Sequence, residues 1–150
     1  KAVVLSLFMP LVMSCGGNSG SQAAALITRA LALNEVAPGD WAKIVRKEIV
    51  SALLLSAALS TMGFICVEVF VKTGVARTEY SLQLGVAIAC AVALVVVWGT
   101  LLGSMLPLLL RRGGFDPATA SSPMVATLMD ASGTLIYLGI AILVLSGTIL

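Results

Sequence analysis

The chain has 150 residues, of which 59% are hydrophobic and 11% charged, with a formal net charge of +2. Soluble domains carry roughly 25% charged residues, so nine basic and seven acidic side chains are too few to hydrate a soluble surface here, and lipid must solvate most of the chain. No basic block tracks a phosphate backbone, and the complete absence of histidine removes Ser–His–Asp triads, Cys–His dyads and most soluble metal sites.

A spanning helix takes about 20 apolar residues, so this length accommodates four or five spans. The first apolar run, residues 2–28, holds no charge. Lys1 stands where an initiator methionine would, directly before apolar sequence, which suggests a part cut or processed from something longer. Within the run, Gly16-Gly17-Asn18-Ser19-Gly20 interrupts the hydrophobicity. Repeated glycine inside a span allows close backbone approach, and irregular backbone is tolerated at that depth where it lines a cavity. Asn18 and Gln22 are helical i,i+4 neighbours, and Pro10, Ser14, Gly17, Ser21, Ala24 and Thr28 form a stripe beside them. This segment reads either as a packing surface held by interhelical amides or as the wall of a path.

Residues 29–48 follow as the largest charge cluster, with Pro38-Gly39-Asp40 as a turn signal. The second run, 49–71, carries only Glu68, near its end, and residues 72–79 form a polar loop. The third, 82–110, contains Gly99-Thr100-Leu101-Leu102-Gly103, a GxxxG that reads as helix packing. A short polar loop, 111–116, precedes the fourth run, 122–149, whose one charge is Asp130. Trp41 and Tyr80 fall at expected water–lipid boundaries. The fold class expected is all-α, an integral membrane bundle of four transmembrane helices forming one unit over residues 1–150. Basic residues set its orientation. Arg29, Lys43, Arg46, Lys47, Arg111 and Arg112 lie on one side against Lys1, Lys72 and Arg77 on the other, which puts the first group in the cytoplasm and the C-terminus outside the cell membrane.

Asp130 is the residue to explain. A mid-helix carboxylate costs roughly 2.5–3.5 kcal/mol on insertion scales, so intramembrane acids usually face a cavity or pathway. It lies eight residues beyond Ser122, about 12 Å deeper along a helix. Pro123, Ala126, Thr127, Asp130, Gly133, Thr134, Tyr137 and Ala141 follow helical spacing and are mostly small or polar, while Val125, Leu128, Met129, Leu135, Leu138 and Ile142 suit lipid or packing. One acid on such a stripe fits a water-filled cation path. The alternative is a protonated Asp130 hydrogen-bonded to a neighbouring helix. Cys15, Cys66 and Cys90 are scattered singly, so a soft-metal cage is not expected. One carboxylate does not balance a divalent charge, but two Asp130 side chains on a twofold axis would, and Mg²⁺ is commonly held by one or two carboxylates with waters retained.

Enzyme chemistry finds no support. Gly17-Asn18-Ser19-Gly20 fits a GxSG serine motif without the histidine base it needs, aspartyl intramembrane proteolysis needs a second intramembrane aspartate, and HExxH needs histidine.

Pro10-Leu11-Val12-Met13-Ser14-Cys15-Gly16-Gly17-Asn18-Ser19-Gly20-Ser21-Gln22 resembles the P-x-x-x-x-x-G-G-N-x-G-x-Q signature of the MgtE family of magnesium channels and transporters. Asp116-Pro117-Ala118, continuing through Pro123 to Asp130, resembles that family's last-helix segment. The resemblance implies a homodimeric pore domain of five helices per subunit, lined by the second and fifth, with the first helix absent from this chain. It also implies that Asp130 and its dimer mate bind a largely hydrated Mg²⁺, that Ala126 contributes one turn away, and that Gly17, Asn18 and Gly20 line the opposing wall. Ser122 stands near the cytoplasmic mouth, where relatives often carry Gly or Asn; Thr127 and Gly133 complete the expected pore lining. Cytoplasmic N-terminal and CBS domains usual in bacterial members are not in this sequence. The function expected is selective, passive Mg²⁺ permeation. Na⁺- or H⁺-coupled exchange is the alternative within transport, and a non-conducting structural subunit is the alternative outside it.

Overall fold

The computed structural model describes residues 3–147 and consists of four helices: α1 (Val3–Ala32), α2 (Trp41–Lys72), α3 (Ser81–Arg112) and α4 (Pro117–Leu145). All four are long and apolar enough to cross a membrane. Lys1 and Leu150, used above to set orientation, lie outside the described residues. The first three helices outrun the apolar runs, because charged residues beside each run enter the helix: Arg29 belongs to α1, Lys43, Arg46, Lys47 and Glu48 belong to α2, and Arg111 and Arg112 close α3, whereas α4 begins ahead of residue 122 through the uncharged residues 117–121. Only residues 33–40, 73–80 and 113–116 connect them.

The helix ends follow from local chemistry. Asn34 takes a left-handed φ of 56° after α1, and the Glu35 amide donates back to the Ala30 carbonyl at 2.9 Å. Gly114 repeats the device after α3 with φ 78°, and Phe115 N–H reaches Leu110 O at 2.9 Å. These wraps satisfy carbonyls that the last turn would leave unpaired. At the start of α4, the Asp116 carboxylate accepts from Ala118 N–H at 3.0 Å, with Pro117 at the first helical position, where its missing N–H costs nothing.

Helix α3 is the hub. It packs against all three others, α1 and α4 also pack on one another, and α2 leans almost entirely on α3. The α1–α3 seam is made of glycine. A Cβ on Gly20 would lie 2.8 Å from the Gly99 carbonyl oxygen, and one on Gly103 or Gly99 would collide with the carbonyl of Gly20 or Gly16. Two small-xxx-small motifs, Gly16–Gly20 and Gly99–Gly103, therefore lie backbone against backbone. Lipid tails are as apolar as any side chain, so this close contact, rather than a hydrophobic drive, supplies the cohesion.

The main core joins Phe8, Val12, Ile88, Val92, Val95, Val96, Met129 and Tyr137, among others. A smaller cluster of Ile27, Leu31, Ile44 and Leu108 closes the end where α1 leaves, α2 begins and α3 leaves. The helix turns that carry Arg29, Arg46, Arg111 and Arg112 thus share one end of the bundle. The Tyr137 hydroxyl, buried in the other half, donates to the Leu5 carbonyl at 2.7 Å.

Candidate functional site

Asp130 lies 13 residues into α4 and 15 from its end, about 20 Å and 22 Å from the two termini, which is mid-span. Its side chain is exposed on the surface of the bundle. Among the described residues no hydrogen bond or ion pair reaches its carboxylate; the bond at this residue is Thr134 Oγ1 donating to its backbone carbonyl at 2.6 Å. A bare carboxylate at this depth is costly, and none of the described residues offsets it.

Two contacts fix which flank of α4 carries Asp130. Thr134, one turn later, donates to Met13 Sδ on α1 at 3.6 Å. Ser132, on the opposite flank, accepts from Trp98 Nε1 on α3 at 2.9 Å. Asp130 shares the Thr134 flank, because residues four apart are neighbours and residues two apart are not. It therefore stands beside α1, on the side turned from α3. Ala126 and Thr127, one turn before it, are exposed on the same flank, with Thr127 Oγ1 donating to Pro123 O at 3.1 Å.

Across from this flank runs the outward edge of α1. Gly17, four residues beyond Met13, is half-buried, and nothing lies within 4 Å of where its Cβ would be. Pro10 and Ser14 are exposed and Ser21 half-buried along the same edge. Asn18, also exposed, turns its amide to its own helix, Nδ2 donating to Ser14 Oγ at 3.2 Å. At the arginine-bearing end of the bundle, Thr28 Oγ1 and Ser121 Oγ lie 3.3 Å apart and tie α1 to α4; the adjacent Ser122 is half-buried. The result is a shallow open furrow between α1 and α4, with a carboxylate, small side chains and hydroxyls along it.

The structure divides the expected site residues. Asp130, Ala126, Thr127 and Gly17 come together along the furrow. Gly20 and Gly133 do not. Gly20 is pressed between Gly99 and Val125, and a Cβ on Gly133 would lie 3.3 Å from Met13 Sδ, inside the α1–α4 contact. The stripe that the sequence joins through Asp130 also splits: Gly133, Tyr137 and Ala141 are buried with Val125 and Met129, while Pro123, Ala126, Thr127 and Asp130 are exposed. Sequence reasoning left one glycine pairing undrawn and missed two contributors. Gly16 completes the second GxxxG, which its spacing from Gly20 announces. Met13 and Trp98 orient α4 from other helices, and no local signal marks them. Among the described residues no group of three His, Cys, Asp or Glu side chains converges on a metal position, so a cation here would meet one carboxylate per chain.

Residues 9–140 match the MgtE family, described as divalent cation transporters. The chain belongs to the MgtE family. It is 40% identical over 141 residues to the magnesium transporter MgtE of Thermus thermophilus, covering 94% of this chain and 29% of that protein. It is 31% identical to magnesium transporter MgtE from Enterococcus faecalis and from Bacillus subtilis, again over 94% of this chain and 29% and 30% of theirs. The chain thus spans under a third of the length of these relatives, and the stretch matched by the family, residues 9–140, takes in both the glycine-rich segment of α1 and the Asp130 segment of α4. MgtE is a family of transporters, not of enzymes.

Proposed function

We propose that this chain forms the ion-permeation region of a Mg²⁺ transporter and that Asp130, from two copies, binds the passing ion with its water shell largely in place. The observation that carries this reading is the mid-span carboxylate exposed without a partner beside an open furrow of small and hydroxyl-bearing residues. Divalent charge needs two such carboxylates, and a second copy related by twofold symmetry is the simplest source. Ala126 and Thr127 then lie one turn along the ion's route, facing Gly17 on α1, with Ser122 toward one mouth. Mg²⁺ dehydrates reluctantly, so a lining of hydroxyls and backbone carbonyls, rather than a dense cage of charges, suits it. The basic residues gathered at the arginine-bearing end place that end in the cytoplasm by the positive-inside rule.

Mg²⁺ flux into proteoliposomes containing the full-length protein tests the reading. Asp130→Asn is expected to lower flux by roughly tenfold or more, equivalent to about 1.4 kcal/mol of lost ion stabilisation. Unchanged flux in correctly folded Asp130→Asn protein removes Asp130 from the path. Flux that follows the membrane potential, with no requirement for a Na⁺ or H⁺ gradient, marks a passive channel.

A further inference from the structure

On the side of the bundle away from the Asp130 furrow, α1 and α2 barely touch. Phe8 meets Phe70 at one end, with ring centroids 5.6 Å apart, and Ile27 and Leu31 cluster with Ile44 at the other. Beside that second contact lies a recess of about 430 Å³. Its apolar lining is made by buried Ile27 and Ile44, with Ala30 and the exposed Leu26 of α1 beside them. Its rim carries both signs of charge: Lys43 and Lys47 from the first turns of α2, Glu48 beside them, and Glu35 and Asp40 from the linker. Among the described residues none of these five is in an ion pair. Asp40 is engaged locally, accepting from Ala37 N–H at 2.8 Å. The recess lies at the start of α2, whose first residue, Trp41, is exposed, as rings at a water–lipid boundary are.

We propose that this recess binds a zwitterionic, amine-bearing phospholipid of the phosphatidylethanolamine type. Lys43 and Lys47 are i,i+4 neighbours, so their ammonium groups converge on one face of α2 and hold the phosphate by charge-assisted hydrogen bonds. Glu35, on the linker side of the rim, accepts from the lipid ammonium. Leu26, Ala30 and Ile44 cover the first methylenes of an acyl chain. A purely anionic headgroup leaves Glu35 and Glu48 facing like charge, and a quaternary choline headgroup offers no N–H to them. The site is independent of the ion path, since it uses α2 and the first linker rather than α4.

The test is lipid retention by the full-length protein in detergent, read by native mass spectrometry with phosphatidylethanolamine, phosphatidylcholine, phosphatidylglycerol and water-soluble phosphoethanolamine. Phosphatidylethanolamine is expected to be retained about tenfold more tightly than phosphatidylcholine or phosphatidylglycerol, the worth of one charge-assisted hydrogen bond, and more tightly than phosphoethanolamine, which has no acyl chain to cover the apolar residues. Lys43→Gln with Lys47→Gln is expected to weaken retention of all three phospholipids, because each presents the same phosphate to these two lysines. Glu35→Gln is expected to weaken phosphatidylethanolamine binding and to strengthen phosphatidylglycerol binding by removing a like charge, so that the preference disappears; Glu35 lies outside both helices, so this variant keeps the fold even where the lysine pair does not. Equal retention of phosphatidylcholine or phosphatidylglycerol overturns the proposal. Phosphoethanolamine binding as tight as the lipid, or wild-type retention in both variants, overturns it as well.

Discussion

Gly16 and Gly17 are adjacent in one motif and live in opposite surroundings. A Cβ on Gly16 would collide with the Val95 side chain and lie 2.8 Å from Met129 Cε, whereas one on Gly17 would meet nothing within 4 Å. The hundred degrees of turn between consecutive helical residues separates a seam from a furrow. On the seam side, glycine is required because two backbones touch. On the furrow side, glycine leaves space that none of the described residues fills. The same contrast divides α4, where Met129 is buried against α1 and α3 and Asp130, the next residue, is exposed. The two helices thus turn a packed face and an open face in matching directions, and the open faces together make the candidate path.

Substitutions on the seam give the largest effects. Gly103 approaches the backbone of Gly20 most closely, and backbone does not yield as a flexible side chain does. Gly103→Leu is expected to cost about 3 kcal/mol or more by overpacking, separating α1 from α3 and exposing the chain to protease in mild detergent. A Gly103→Leu protein as protease-resistant as wild type breaks the account of the seam. Gly20→Ala is expected to cost about 2 kcal/mol, within the usual range for a methyl forced into a filled space, because it meets Val125 Cγ1 at 2.7 Å as well as the Gly99 carbonyl. Equilibrium unfolding in mixed micelles checks this value.

The orientation of the furrow rests on weaker ties. Trp98 Nε1 donates to Ser132 Oγ, which in turn donates to Leu128 O at 2.6 Å. Trp98→Phe keeps the aromatic bulk and removes the donor, with an expected cost of about 1 kcal/mol. A double-mutant cycle with Ser132→Ala isolates the pair; a coupling energy near zero means that α4 is held by packing alone.

Much of this was legible in the sequence, for identifiable reasons. The gaps between charges mark four spans because lipid excludes charge so strongly, and Gly99-xxx-Gly103 announces a packing surface because its spacing brings two glycines onto one helix face. The partition of α4 was not legible. Its buried positions, Pro117, Ser121, Val125, Met129, Gly133, Tyr137, Ala141 and Leu145, recur every fourth residue. That ridge runs oblique to the helix axis, so the packed face drifts around α4 along its length. A straight helical stripe through Asp130 therefore leads into the core at Gly133, Tyr137 and Ala141, and a single sequence holds no measure of how helices cross. Gly20 misleads for the same kind of reason: glycine signals close approach, but whether backbone or open space approaches depends on the neighbour.

Gly17 gives the smallest effect and the sharpest test, because its expected sign is opposite to that on the seam. Glycine in a helix interior is destabilising by roughly 0.5–1 kcal/mol relative to alanine, since the unfolded chain loses more freedom on folding. Where a methyl meets nothing, that entropy is recovered without a clash. Gly17→Ala is therefore expected to raise stability by about 0.5–1 kcal/mol, while Gly16→Ala lowers it through contact with Val95 and Met129. The pair differs by one position in the chain and by nothing in chemistry, so helix propensity cancels between them and the difference in unfolding free energy reports packing alone. Gly17→Leu extends the test to function: its side chain enters the furrow beside Asp130, so Mg²⁺ flux falls while the fold persists. Two destabilised alanine variants would place Gly17 in a contact that this subunit does not make by itself, and the second copy at the furrow would be the surface it meets.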